Sequence, residues 1–297
     1  MSPTFQSNIA EELEPGLREI VGDSFRAVDP FYTKLVRVSD SDKAAEHILE
    51  FNYFGLPAYK PEGVPMATDE VKEGAKKNIS HRTYALAAEF SWEALRDEKY
   101  GQLKGAGREL GKSMRELIEV QGHMLYNDGF TTETAIDSLS VFNTAHVNLK
   151  TGTTWSNRVN ADLSLAGIQD LFTNFMNMTD GTGKHIAMMP ECLIIPPESW
   201  VLAGQILDTQ LEPFTTDNTT NVVKGKLKTI VDPYITDTDS WFARGSMSDI
   251  NAHFFFRERP MQDSWDDKKS RISAFAIIVR IGRGVSDPHG LYGAPGA

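Results

Sequence analysis

From Ser91 to Gly129 the sequence reads as one long helix. Trp92, Leu95, Leu103, Ala106, Leu110, Met114, Leu117, Gln121 and Leu125 recur at helical spacing. Ser91 is a candidate N-cap, and Asn127-Asp128-Gly129 supplies a stop. Gly101, Gly105, Gly107 and Gly111 lie inside this pattern, and each costs about 1 kcal/mol relative to Ala in a helix interior. A helix with that composition needs a body to lie against, and its glycines are places where it can bend.

The flanking segments supply the body. Up to Lys43 there is one amphipathic stretch, Ile9 to Val21, which Pro15-Gly16 is expected to break; residues 1–43 read as an arm. Residues 44–90 hold two β-like runs, His47 to Phe54 and Ile79 to Phe90, around a tip with Pro57, Pro61, Gly63 and Pro65. Tyr84, Leu86, Ala88 and Phe90 alternate with Thr83, Ala85, Ala87 and Glu89, the period of a strand, so a long hairpin is expected. Beyond the polar stretch Ser138 to Asn160, Ser164 is a candidate cap for a helix with Leu165, Ile168, Leu171, Phe172, Phe175 and Met176 on one face. Strands are expected at Ile186–Met189, Cys192–Ile195, Lys226–Val231, Ala252–Arg257 and Arg271–Ile281, with a short helix from Ser199 to Leu207. The Gly-rich tail from Gly282 is expected to be irregular. The fold class is α+β.

Among the 297 residues, 41 Asp and Glu outnumber 30 Lys and Arg, a net charge of −11 that disfavours sequence-independent affinity for nucleic acid. The densest basic patch, Lys76-Lys77 with Arg82, has no interleaved aromatic set. No apolar run is long enough for a membrane span, and Glu11, Glu12, Glu14 and Glu19 occupy the place of a signal peptide's apolar core, so a cytoplasmic start is expected. The single Cys192 sits in an apolar run, excluding an intrachain disulfide and making a reactive thiol unexpected. No His pair stands at one-turn helical spacing, so no metal centre and no cofactor are expected. His146, closing the run Val141-Phe142-Asn143-Thr144-Ala145, reads as structural.

The sharpest enzymatic lead is Ala106-Gly107-Arg108-Glu109-Leu110-Gly111-Lys112-Ser113, a relaxed phosphate-loop pattern. A phosphate loop follows a buried strand and opens a helix; this run lies inside the helical pattern. A phosphate-loop NTPase using Lys112 and Ser113 is therefore the enzyme-class alternative to a non-catalytic protein, and no catalytic residue is assigned.

The order of arm, hairpin, long helix, mixed region and late strand resembles the major capsid proteins of tailed bacteriophages, the Hong Kong 97 fold. Within that group the sequence is similar to the Mu-type major head subunits. The resemblance rests on Thr83-Tyr84-Ala85-Leu86 leading into Glu93-Ala94-Leu95-Arg96-Asp97-Glu98-Lys99-Tyr100-Gly101, on Val141 to His146, and on Met189-Pro190-Glu191-Cys192-Leu193-Ile194-Ile195-Pro196-Pro197. It continues through Asn221-Val222-Val223, Lys228-Thr229-Ile230-Val231-Asp232-Pro233 and Ser240-Trp241-Phe242.

The resemblance implies an N-terminal arm over 1–43, an extended loop over 44–90 and a peripheral domain with the spine helix over 91–160. It further implies an axial domain over 161–250, then a return strand and tail over 251–297. It implies self-assembly into hexamers and pentamers of an icosahedral head that encloses double-stranded DNA, built in the host cytoplasm with a separate scaffolding protein and a portal. An encapsulin-type compartment of the same fold is the alternative shell. Some relatives join a loop Lys to a neighbour's Asn; Lys60, Lys72, Lys76 and Lys77 and the acceptor Asn251 are candidates. The polar context of all four lysines favours the unreactive ammonium, and a non-covalent shell is expected.

Overall fold

A computed structural model describes residues 9–52, 54–91, 93–94, 100–148, 150–213, 219–267 and 269–296. Along the chain come helix α1 (Ile9–Arg26), strands β1 (Arg37–Asp40), β2 (Ala45–Asn52), β3 (Lys72–Ser80) and β4 (Arg82–Ser91), then the 28-residue helix α2 (Tyr100–Asn127). Strands β5 (His146–Val147) and β6 (Thr154–Trp155), helix α3 (Leu165–Asn177), strand β7 (Cys192–Ile195) and helix α4 (Trp200–Asp208) follow. The chain continues with β8 (Lys228–Val231), β9 (Trp241–Arg244), β10 (Ala252–Asp267), β11 (Ile272–Val285) and β12 (Leu291–Ala294).

Helix α2 stops at the Asn127-Asp128-Gly129 signal. Ser91 Oγ accepts a hydrogen bond from Ala94 N at 3.3 Å, while Trp92 and Leu95 of the helical pattern lie outside the described residues, as does the side chain of Leu103. Leu110, Met114, Ile118 and Leu125 are buried in a core shared with the large sheet. The external support is α1, which packs along α2. Gly111 is where the two helices meet: a Cβ there would overlap Ser24 Oγ and lie 2.6 Å from the Val21 carbonyl oxygen. Gly105, in contrast, faces open space. Helix α1 runs through Pro15-Gly16 without the expected break. Its later half is anchored on α2 through buried Val21, and this tertiary packing opposes the roughly 3 kcal/mol cost of a mid-helix proline.

Two four-stranded sheets carry the rest. The first has the order β1-β10-β11-β4, with β1 parallel to β10 and the other pairs antiparallel. The run Tyr84 to Phe90 is a strand, but it pairs with β11, setting Leu86 against Ile277 and Ala88 against Phe275. The partner of β2 is β3 instead, so the hairpin consists of β2 and β3 alone. Its second strand was obscured in sequence by Glu73, Lys76 and Lys77, which leave no apolar alternation.

The second sheet has the order β12-β9-β7-β8. Here the tail departs from expectation: β11 extends to Val285, and β12 pairs with β9 and is buried along its whole length. Gly293 is needed there, because a Cβ would come within 2.8 Å of the Phe142 ring. The expected strand Ile186–Met189 is irregular, with Ala187 in the left-handed region at φ 56°. Helices α3 and α4 cover this sheet with a second core. Ser164 Oγ caps α3 by accepting from Gly167 N at 3.1 Å; Ile168, Leu171 and Phe175 are buried, whereas Met176 is 48% exposed and belongs to the outer face. Arg244 ties the second sheet to the arm through Nε donating to the Lys34 carbonyl at 2.8 Å.

The two glycines make opposite predictions. Gly105→Ala should raise stability by about 1 kcal/mol, because the added methyl meets nothing and the helix gains propensity. Gly111→Ala should lower it by about 1–3 kcal/mol, because the methyl drives α1 off its seat. Urea unfolding of the two variants should move in opposite directions from the parent.

Candidate functional site

The hairpin β2–β3 is a two-stranded sheet of its own, and such a unit is marginal in water without cover. Its connecting loop presents apolar side chains outward: Leu56 is 81% exposed, Tyr59 91% and Met66 76%. The neck of this loop is closed by polar contacts. The Asp69 carboxylate accepts from Gly55 N at 2.7 Å, from Glu70 N at 2.9 Å and from Lys150 Nζ at 2.6 Å. The Gly55 amide, then Lys150, hold its pKa down at about 2. Lys184 Nζ donates to the Phe54 carbonyl at 2.8 Å. Lys184 is itself presented by a turn in which Asp180 Oδ1 accepts from Thr182 N and Lys184 N, both at 2.9 Å.

Beneath the hairpin lies a cavity of about 430 Å³, lined by Leu49, Phe51, Asp137, His146, Trp155 and His289 among others. Trp155 is stacked between two imidazoles, with ring centroids 4.9 Å from His146 and 4.1 Å from His289. His146 Nδ1 meets Asp137 Oδ2 at 2.6 Å and Nε2 meets Asn157 Oδ1 at 3.2 Å, so its ring is held from both sides. His289 faces an acceptor on each side: Asp287 Oδ1 at 2.5 Å from Nδ1 and the Thr179 carbonyl at 3.0 Å from Nε2. Acceptors on both sides of the ring favour its protonated form. Burial opposes that charge, but Asp287 and Thr179 more than offset it, and the pKa is raised.

A second buried network follows one face of α2. Glu119 accepts from Phe31 N at 3.0 Å and Tyr32 N at 2.9 Å, and pairs with Arg115 at 3.1 Å. One turn on, His123 Nδ1 lies 2.6 Å from the Glu119 carbonyl and Nε2 lies 2.8 Å from Asp232 Oδ2. Desolvation works against a charged His123, yet Asp232 prevails and its pKa is raised. Tyr126 Oη then donates to the Leu35 carbonyl at 2.9 Å, and Asn127 Nδ2 to the Tyr234 carbonyl, also at 2.9 Å.

The phosphate-loop look-alike lies in the middle of α2. Lys112 Nζ is 2.7 Å from Glu109 Oε1 on the same helix, Ser113 is exposed, and no helix N-terminus stands there to face a phosphate. Cys192 is buried, and burial pushes its thiol pKa up. Among the described residues no group of three metal-ligating side chains gathers, and no helix is long and apolar enough to cross a membrane. Lys60 and Lys76 are exposed, and the side chain of Lys72 lies outside the description. Lys77 departs from its expected polar setting: it is half-buried, desolvation lowers its pKa, and Nζ donates to the carbonyl and hydroxyl of Thr134, both at 2.8 Å. Asn251 lines the cavity. The joint role of Asp69, Lys150 and Lys184 leaves no mark in the sequence, since a contact between polar loop residues 81 positions apart gives no periodic signal.

A long helix laid along one sheet, a second sheet with its own core and a projecting hairpin with an apolar tip define a shell subunit of the Hong Kong 97 type. The profile of the phage capsid protein family matches residues 74–294, and the chain belongs to that family. No curated protein sequence matches it. Among solved structures, a chain of Mycobacterium phage Patience is similar with a TM-score of 0.63 at 13% identity, over 99% of this chain and 89% of that one. The capsid of Myoviridae phage XM1 is similar with a TM-score of 0.58 at 11% identity, over 90% and 91%. A virus-like particle from Pyrococcus furiosus gives 0.52 at 12% identity, over 94% and 98%. The protein is a structural major capsid protein.

Four histidines give its stability a definite pH profile. Burial lowers the pKa of His81 and His253 below 6.5, so just under that value the unfolded chain binds more protons and stability rises with pH. His123 and His289 are raised above 6.5; their contribution is complete below that value and is lost as pH climbs through the raised folded-state pKa. Urea midpoints of the soluble subunit should therefore peak near pH 6.5. His289→Gln should flatten the alkaline flank and His253→Gln the acid flank; unchanged slopes would refute the assignment.

Proposed function

We propose that this capsid protein closes an icosahedral head from hexamers and pentamers, with the β2–β3 hairpin tip as the element that engages the neighbouring copy. The observation that carries this reading is the exposure of Leu56, Tyr59 and Met66 on a loop whose own subunit gives them no cover. A second copy supplies it, because the family builds shells from repeats of one chain. Residues 1–43 act as the arm, 44–90 as the extended loop, 91–160 as the peripheral domain and 161–250 as the axial domain. Residues 251–297 serve both regions, since β10 and β11 belong to the first sheet and β12 to the second. The motifs around Glu93 to Gly101 and Met189 to Pro197 favour the Mu-type head subunits within the family.

The partners follow from the same reading: a separate scaffolding protein, a portal, and double-stranded DNA enclosed without specific binding, with assembly in the host cytoplasm. A net charge of −11 suits a container that holds DNA without gripping it. The likeness to the Pyrococcus furiosus particle supports a second reading, a compartment shell of encapsulin type. Electron microscopy of the expressed protein separates them: closed shells that form only with a co-expressed scaffold fit a phage head, and closed shells from the chain alone fit a compartment.

Replacing residues 56–68 with a short Gly-Ser turn should leave a folded, soluble subunit with the parent's circular dichroism and no closed shells by electron microscopy. Normal shells from that variant would refute the assembly role of the tip. Lys77 is held by Thr134, so a non-covalent shell is still expected. Boiled particles should run on a denaturing gel as one band near 33.1 kDa, and a heat-stable ladder would show that a lysine had reacted.

A further inference from the structure

We propose that Asp69 and Lys150 form a latch that positions the hairpin tip for contact with a second copy of the chain, a role that rests on the reading of the tip as the assembly element. Among the described residues, the loop that carries the tip is fixed to the body at its neck. Asp69 closes the neck on itself by accepting from Gly55 N at 2.7 Å, and fastens it to the body by accepting from Lys150 Nζ at 2.6 Å. Lys184 is a second strut, reaching the Phe54 carbonyl at 2.8 Å from a turn that Asp180 holds in shape. Asp69, Lys150 and Lys184 touch the backbone or charge of the neck and leave Leu56, Tyr59 and Met66 uncovered.

That division of labour is what positioning requires. A loop carried on a two-stranded hairpin samples many directions, and a neighbour that binds it must first order it. A contact made before encounter removes that ordering cost from the assembly step, so the gain appears as tighter association with no new contact between subunits. The two lysines come from different stretches of chain, on either side of α3, so together they restrain the neck against rotation as well as displacement. Asp69 and Lys150 are positioning residues in this scheme, while the tip makes the contact.

Two independent measurements on the full chain test the latch. The first is the rate at which a protease cuts the tip in the unassembled subunit; the second is the lowest protein concentration at which shells form, read by light scattering and electron microscopy. Asp69→Asn and Lys150→Met should each speed tip cleavage and raise the threshold concentration by about tenfold, the scale expected when ordering is shifted into the association step. The double variant should be no worse than either single one, because both remove the same contact. Lys184→Met should give a smaller change in the same direction. Unchanged cleavage, additive losses, or assembly as good as or better than the parent's would overturn the latch. The variant lacking residues 56–68 keeps the two ideas apart: if it fails to assemble while the latch variants assemble normally, only the latch is wrong. If it assembles normally, the reading of the tip is wrong and the latch falls with it.

Discussion

The buried carboxylate of Glu119 is the contact on which the arrangement of the chain depends. It accepts hydrogen bonds from the backbone N–H groups of Phe31 and Tyr32, pairs with Arg115, and stands one turn before His123, whose ring lies against Asp232. Through this one face of α2 the segment before β1 is joined to the long helix by charge-assisted hydrogen bonds, and the loop after β8 by the close His123–Asp232 contact, all in a dry setting. Such a network is specific because breaking it is costly: a buried charge left without its partner destabilises by about 3–5 kcal/mol. Apolar packing alone would let the arm slide along the helix, whereas these bonds fix its register.

Around that fixed register the subunit divides its surfaces. The face of α2 with Leu110, Met114 and Ile118 is turned inward, and α1 lies across it at Gly111. The second sheet has a core of its own, and Arg244 bridges it to the arm. The hairpin is left with little packing of its own, fastened by lysines and carboxylates. A body that is internally complete and one element that is not is the division expected of a building block.

Much of this was legible in the sequence where a local rule governs. The stop of α2, the Ser164 cap, and the strands at Cys192 and Ala252 follow from turn chemistry, capping and apolar runs that act within a few residues. Strand β3 was not legible, since Glu73, Lys76 and Lys77 erase the alternation and its pairing with β2 is decided across a long loop. Strand β12 was hidden by a Gly-rich tail whose glycine at 293 exists to admit the Phe142 ring. Continuation of α1 through Pro15 was equally invisible, because tertiary packing overrides the local penalty. The neck of the hairpin left the weakest trace, as its bonds join Asp69 and Phe54 to lysines far along the chain. The resemblance to capsid proteins identified the hairpin as important, and only the fold revealed what holds it.

Cys192 gives the assembled object a property that one subunit does not display. A shell repeats every side chain once per copy, so a single accessible thiol would become a dense array facing its neighbours, ready to oxidise, cross-link or scavenge metals. This chain carries its one sulfhydryl in the middle strand β7, buried and hard to ionise. Repetition of the chain therefore multiplies no reactive thiol, and disulfide exchange between copies has no sulfhydryl at the surface to start from.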